Sequence, residues 1–277
     1  MRCLLMVAGS SLVVLSAASA GAGMVDPGTL LAPPEGYALV WQDEFERDGM
    51  PSEELWRYDT SRNRQGWYND EQQYYARSRA ANARVESGRL IIEARHESLE
   101  DQPPEDWGRQ HFTSARLTTK GVQNWHRGFF EVRAKLPCVR GTWPAIWLLP
   151  DAHRGRWIGG EIDIVEAVGH EPGMVHHAVH TRERNFRRGN HLRSSSPLDA
   201  CGGFHDYQVL WTEDEVRVGV DGETALVADA EEFDQPMSLI INVAVGGSWG
   251  GAEGIDEAAF PARMEIEHVR VYQQRGQ

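Results

Sequence analysis

The stretch Glu161-Ile162-Asp163-Ile164-Val165-Glu166 constrains the chain more than any other. Isoleucine and valine suit a pleated, half-buried surface, so carboxylates interleaved with them read as a β-strand. Period 2 puts Glu161 and Asp163 on one face and Ile162 and Ile164 on the other. Continued strictly, that period turns Val165 toward the acids and Glu166 into the apolar layer, where an unpaired carboxylate is costly. One extra residue near Ile164-Val165, a β-bulge, returns Glu166 to the acidic face. At about 3.3 Å per residue, Glu161 and Glu166 lie roughly 13–16 Å apart along the backbone, and leaning side chains bring their carboxyls to roughly 5–8 Å. That range includes the ~5–5.5 Å of retaining glycosidases and overlaps the ~6.5–9.5 Å of inverting ones. Like charges this close cannot all ionise at their ordinary pKa, so one is expected to hold a proton near neutrality. A solvated acidic edge strand or a cation site fits the same spacing, and the pattern alone leaves both open beside catalysis.

The N-terminus reads as a targeting segment. Met1-Arg2 gives a basic start, Leu4 to Leu15 an apolar core, and Ala18-Ser19-Ala20 a small-residue cleavage site. A signal peptide over 1–20, a short segment over 21–36 and one domain over 37–277 follow, because no linker, repeat or low-complexity tract divides the rest. A secreted or periplasmic protein is expected. Loss of Cys3 with the leader leaves Cys138 and Cys201, which permit one disulfide that spacing does not decide. The formal charge of -13 argues against nucleic acid or an anionic membrane as partner and fits a neutral substrate.

The pattern is nearly all β. Candidate strands are 38–41, 89–93, 116–119, 129–135, 145–149, 161–168, 174–180, 205–211, 215–220, 238–244 and 264–272. Asp221-Gly222 is a strong hairpin turn signal after the ninth of these. No long stretch keeps a 3.6-residue period, so a sandwich or barrel is implied.

Gly160 to Glu166 resembles the signature of glycoside hydrolase family 16 in its bulged, laminarinase-like form. The resemblance implies that Glu161 is the nucleophile, Asp163 its support and Glu166 the acid/base. It runs from about Ala38 to Tyr272 and narrows the fold to an all-β, two-sheet antiparallel jelly roll with a substrate cleft on its concave sheet. Gly66-Trp67-Tyr68-Asn69-Asp70-Glu71 resembles the Trp-Gly-Asn-Asn-Glu loop of laminarinases, with Tyr68 in place of Gly. Thr113 to Leu117 matches a substrate-side arginine strand, so Asn69 and Arg116 would bond sugar hydroxyls. Gly141 to Pro150 is similar to a third family segment, in which Trp143 and Trp147 share a face and can stack on pyranose rings. Trp67, His180 and Trp249 in its glycine-rich loop complete the implied binding set. One departure stands out: the family's Trp-Pro before the first Glu is here Arg156-Trp157-Ile158.

His176-His177-Ala178-Val179-His180 suggests a metal at first sight. On a strand His177 points away from the other two, so no three-ligand set forms locally, and no HExxH or CxxC accompanies it. His176 and His177 are read as structural. No cofactor is expected for catalysis. The resemblance implies a structural calcium at Glu44, Gly88 and Glu267, with Glu267 one methylene longer than the usual Asp.

The expected function is endo-acting, retaining hydrolysis of β-1,3-glucan by a monomer with no membrane contact after leader removal. The alternatives are a β-1,3-1,4-glucanase, agarase or transglycosylase of the same family. From another class, a non-catalytic glucan-binding module is the rival, against which both glutamates stand.

Overall fold

The structure, a computed structural model, describes residues 32–99, 106, 108–151 and 157–275. The expected leader, residues 21–31 and Arg156 lie outside the described residues. In chain order the strands are β1 (Tyr37–Asp43), β2 (Arg57–Tyr58), β3 (Gln73–Tyr75), β4 (Ala83–Glu86), β5 (Arg89–His96), β6 (Phe112–Ser114), β7 (Arg116–Thr118), β8 (Gly128–Lys135) and β9 (Thr142–Pro150). They continue as β10 (Glu161–Glu166), β11 (Met174–His180), β12 (Leu192–Pro197), β13 (His205–Trp211), β14 (Glu215–Val220), β15 (Glu223–Asp229), β16 (Met237–Val245) and β17 (Ala262–Gln274).

The smaller sheet runs β12-β11-β10-β9-β16-β7-β2. The larger runs β15-β14-β13-β8-β17-β5-β6-β3, with β1 also on β17 and β4 on β5. Pairing is antiparallel except between β3 and β6. The result is the expected two-sheet jelly roll.

Alternation explains how the sheets face each other. Along β9 the pattern leaves Trp143, Trp147 and Leu149 half-buried while Ile146 and Leu148 are buried. Ile162, Ile164 and Val165 of β10 join Ile146, Leu148 and Ile241 in a core shared with Phe130, Val132, Val209 and Val269 of the larger sheet. At roughly 1.5–3 kcal/mol per buried side chain, this layer fixes which face of β10 is left for the acids. Cys138 and Cys201 do form a disulfide, Cα atoms 5.9 Å apart, tying the segment after β8 to the one before β13.

All eleven expected strands form, several with longer ends. Six others, β2, β3, β4, β6, β12 and β15, were not expected. β15 is the return strand of the Asp221-Gly222 hairpin, where both residues take positive φ (51° and 82°). β12 is an edge strand of Leu-Arg-Ser-Ser-Ser-Pro, whose polar alternation carries no apolar signal.

The two carboxylates of the expected calcium set have arginine partners. Glu44 is held by Arg270, through Nε at 2.8 Å and Nη2 at 3.0 Å. Glu267 meets Arg133 Nε at 2.9 Å and Arg89 at 3.6 Å. Gly88 sits in the β4–β5 turn with φ 75°. Carboxylates neutralised by guanidinium groups do not offer a cation the free hard oxygens it needs. These residues, as placed, do not fit the ion.

Candidate active site

The bulge forms where the apolar layer demands it. Asp163 pairs with Ala178 of β11, but Glu166 pairs with His176, so Ile164 and Val165 together oppose the single residue His177. On the other side Asp163 faces Trp147 and Val165 faces Ile146, leaving Ile164 as the extra residue against β9. Both Ile164 and Val165 are fully buried. Glu161, Asp163 and Glu166 therefore all line one cleft.

Each carboxylate has a distinct surrounding. Glu166 Oε1 accepts 2.9 Å from the indole N–H of Trp143. Asp163 lies 3.2 Å from His180 Nε2, and Glu161 lies 3.9 Å from the same nitrogen. Glu161 also accepts from the indole of Trp157. The donor atoms of Glu161, Asp163 and His180 all fall within 4.8 Å of one another. Desolvation by burial, and then the charge of Asp163, raise the pKa of Glu161 to about 8. The same two causes push Glu166 well above the carboxylate range, with a further contribution from Glu71. Burial raises Asp163 as well. Such a cluster shares protons and titrates as a unit, so it holds at least one at neutral pH.

The cleft walls extend on both sides of these acids. On the β7–β9–β16 side, Trp147 donates 2.8 Å to Asn242 Oδ1, which locks its ring against the sheet. The Arg116 guanidinium lies over Trp147 at 4.7 Å and over Trp67 at 5.2 Å, with Asp59 3.0 Å from its Nε. Trp67 is 6% exposed and donates to Asn63 Oδ1 at 3.0 Å, so little of its ring is open to a ligand. Asn69 takes positive φ (60°) and its side chain bonds Glu71. On the β11–β12 side, Trp249 packs edge-on against Trp143 (5.4 Å) and His176 (4.9 Å). A hollow of about 680 Å³ there is lined by His180, Arg193, Ser195 and Trp249.

The structure thus brings all three expected carboxylates and all seven expected binding residues to one cleft. Sequence reasoning missed Glu71, Trp157, Phe186, Arg187 and Asn242. Glu71 stood within the quoted loop, and its signal was a fourth carboxylate beside aromatics. Trp157 marks the departure from the family pattern. It takes a left-handed backbone (φ 48°) and meets Phe186 (5.4 Å), His180 (5.8 Å) and Arg187 (5.5 Å). The departure therefore still places an indole beside Glu161.

Residues 70–270 match the family model described as glycosyl hydrolases family 16. A β-glucanase of Rhodothermus marinus is 46% identical over 256 residues, 85% of each chain. The laminarinase structure from the same organism superposes with a TM-score of 0.78 at 46% identity, covering 86% of this chain and 97% of that one. A mutant of SCLam, a non-specific endo-β-1,3(4)-glucanase, superposes with a TM-score of 0.85 at 45% identity, covering 89% and 99%. That structure presents a 1,3-β-D-cellobiosyl-glucose at its active site.

Proposed function

Because the chain belongs to glycosyl hydrolase family 16, we propose that it is a secreted, retaining endo-glycosidase cutting laminarin-like β-1,3-glucan by double displacement. One observation carries this reading: the bulge sets Glu161, Asp163 and Glu166 on the cleft side of a single strand, beside Trp143 and Trp147 of β9. Glu161 attacks the anomeric carbon while Glu166 protonates the departing glycosidic oxygen. Glu166, now ionised, takes a proton from the water that opens the glycosyl ester. Asp163 sits between them and shares His180 with Glu161, so it holds the nucleophile's orientation and keeps Glu166 protonated by like charge. Trp143 and Trp147 present indole faces to sugar rings, and Asn69 and Arg116 offer donors to their hydroxyls.

The relatives' names support the substrate class, and mixed linkage is named among them as well: SCLam is a non-specific endo-β-1,3(4)-glucanase, and two Rhizobium meliloti relatives are endo-1,3-1,4-β-glycanases. Product sizes and anomeric configuration, followed by NMR on laminarin, lichenan, agarose and xyloglucan, test the reading. Internal cleavage of laminarin with initial β-product is the expected result. Cleavage confined to lichenan moves the chain to the mixed-linkage enzymes, and an α-product removes the retaining mechanism.

A further inference from the structure

The bulge that makes the site is itself held by a residue on the core side of the sheet. His177 is the one residue of β11 standing opposite Ile164 and Val165. It is wholly buried, and alternation along β11 turns its side chain to the face opposite that of His176 and His180. His177 Nδ1 lies 2.7 Å from the carbonyl oxygen of Ile164, the extra residue of the bulge. Since a carbonyl only accepts, Nδ1 carries the proton, and Nε2 is the acceptor facing Ser196 Oγ at 3.3 Å. Burial lowers the pKa of His177 to about 4, which keeps the ring neutral and this tautomer filled.

Bulged residues leave the regular ladder, and a buried carbonyl without a donor is costly. An apolar residue at 177 would fill the space but could not donate to that carbonyl. A neutral imidazole in an otherwise apolar layer is itself expensive to bury, so its place there calls for a polar partner. Ser196 on the edge strand β12 orients the ring from behind, giving a chain from β12 through His177 to the bulge. Two residues beyond Ile164 stands Glu166, whose approach to a glycosidic oxygen depends on the bulge angle.

We propose that His177 is a positioning residue for the acid/base Glu166, acting by donating to the Ile164 carbonyl and so fixing the bulge. The inference rests on the retaining reading above. Its effect is on proton transfer: loss of the donor lets the bulge relax and carries the Glu166 carboxyl away from the leaving oxygen, while the sugar-binding wall of β9 and β16 stays in place.

The test uses the full chain with His177→Ala, His177→Asn and His177→Gln, assayed on laminarin and on an aryl β-laminaribioside with a good leaving group plus azide. That second substrate needs little help from Glu166 in either step. His177→Ala is expected to lose about 30–100-fold in kcat on laminarin with KM within about threefold, and under about fivefold on the aryl substrate. Asn places its amide N–H where Nδ1 stood and should recover kcat to within about fivefold, whereas Gln reaches the Ser196 end and should not. Equal losses on both substrates, or Asn and Gln behaving alike, would overturn the inference and leave His177 a packing residue. Should His177→Ala not fold, the ratio of the two activities in Asn against Gln decides alone. A wild type inert on both substrates sinks the retaining reading, and this inference with it.

Discussion

Carboxylates on the two sheets live in opposite surroundings. On the larger sheet, Glu93 is almost fully buried yet meets Arg84 at 3.2 Å, Arg263 at 2.7 Å and Arg95. Glu131 accepts from Gln208 at 2.8 Å and faces His268 and Arg270. Just past the end of β1, Glu44 is gripped by Arg270. The hydrogen bond from Arg270 holds Glu44, and His268, 3.4 Å away, holds Glu131, below the usual carboxylate range. On the smaller sheet, no arginine or lysine pairs with Glu161, Asp163 or Glu166 among the described residues; indoles and one imidazole face them instead. Their pKa values rise. The contrast locates where chemistry can occur. A carboxylate braced by guanidinium stays ionised and serves structure, and one denied a cation can hold and release a proton.

The comparison breaks most visibly in turnover. Glu161→Gln should lower kcat on laminarin by at least about a thousandfold, since a covalent nucleophile is lost. Glu44→Gln on the other sheet should leave kcat within about twofold. Initial rates on both variants decide. A Glu161→Gln enzyme keeping a tenth of wild-type activity would take Glu161 out of the role.

The next effect sharpens the contrast within the acidic cluster. Glu166→Ala should be slowed about 100–10,000-fold on laminarin and far less on an aryl laminaribioside. Azide should then restore turnover by replacing the activated water, with a β-glycosyl azide as product. An α-azide would make the mechanism inverting and reverse both glutamate assignments.

How much of this was legible in sequence follows the range of each interaction. The bulge was readable because it is local: Glu166 cannot enter the layer occupied by Ile162 and Ile164, so one extra residue is forced. Trp143 and Trp147 were readable because period 2 holds along β9. The Glu44–Arg270 pair was not, because 226 residues separate its partners and only the β1–β17 pairing brings them together. At that point the position expected to offer a carboxylate to calcium meets a guanidinium instead. Phe186 and Arg187 were missed for a related reason: they lie on a short 3-10 turn (Phe186–Arg188), and only its packing against Trp157 brings it to the cleft. A polar edge such as β12 shows no pattern at all until β11 is in place beside it.

The smallest expected effect tests the same contrast through stability. Glu161 has a folded-state pKa raised to about 8 from 4.5, so the fold favours its protonated form. That contribution is fully present below about pH 4.5 and is lost as pH rises through about 8. Glutamine stays neutral throughout, so Glu161→Gln should match wild-type Tm near pH 4 and exceed it by about 2 °C or more above pH 8. Glu44 runs the other way. Its folded pKa is lowered by Arg270, so its contribution is present above 4.5 and fades as pH falls through the lowered value. Because both partners are about a third exposed, the pair is worth only ~0.2–1 kcal/mol. Glu44→Gln should therefore cost a degree or two of Tm at neutral pH, on the order of the pair's worth, and nothing in strong acid. Tm curves of the two variants from pH 3 to 9 should diverge from wild type at opposite ends, in opposite directions. A Glu161→Gln difference that stays flat with pH would mean that the cleft carboxylates are solvated like those of the other sheet, and the comparison would collapse.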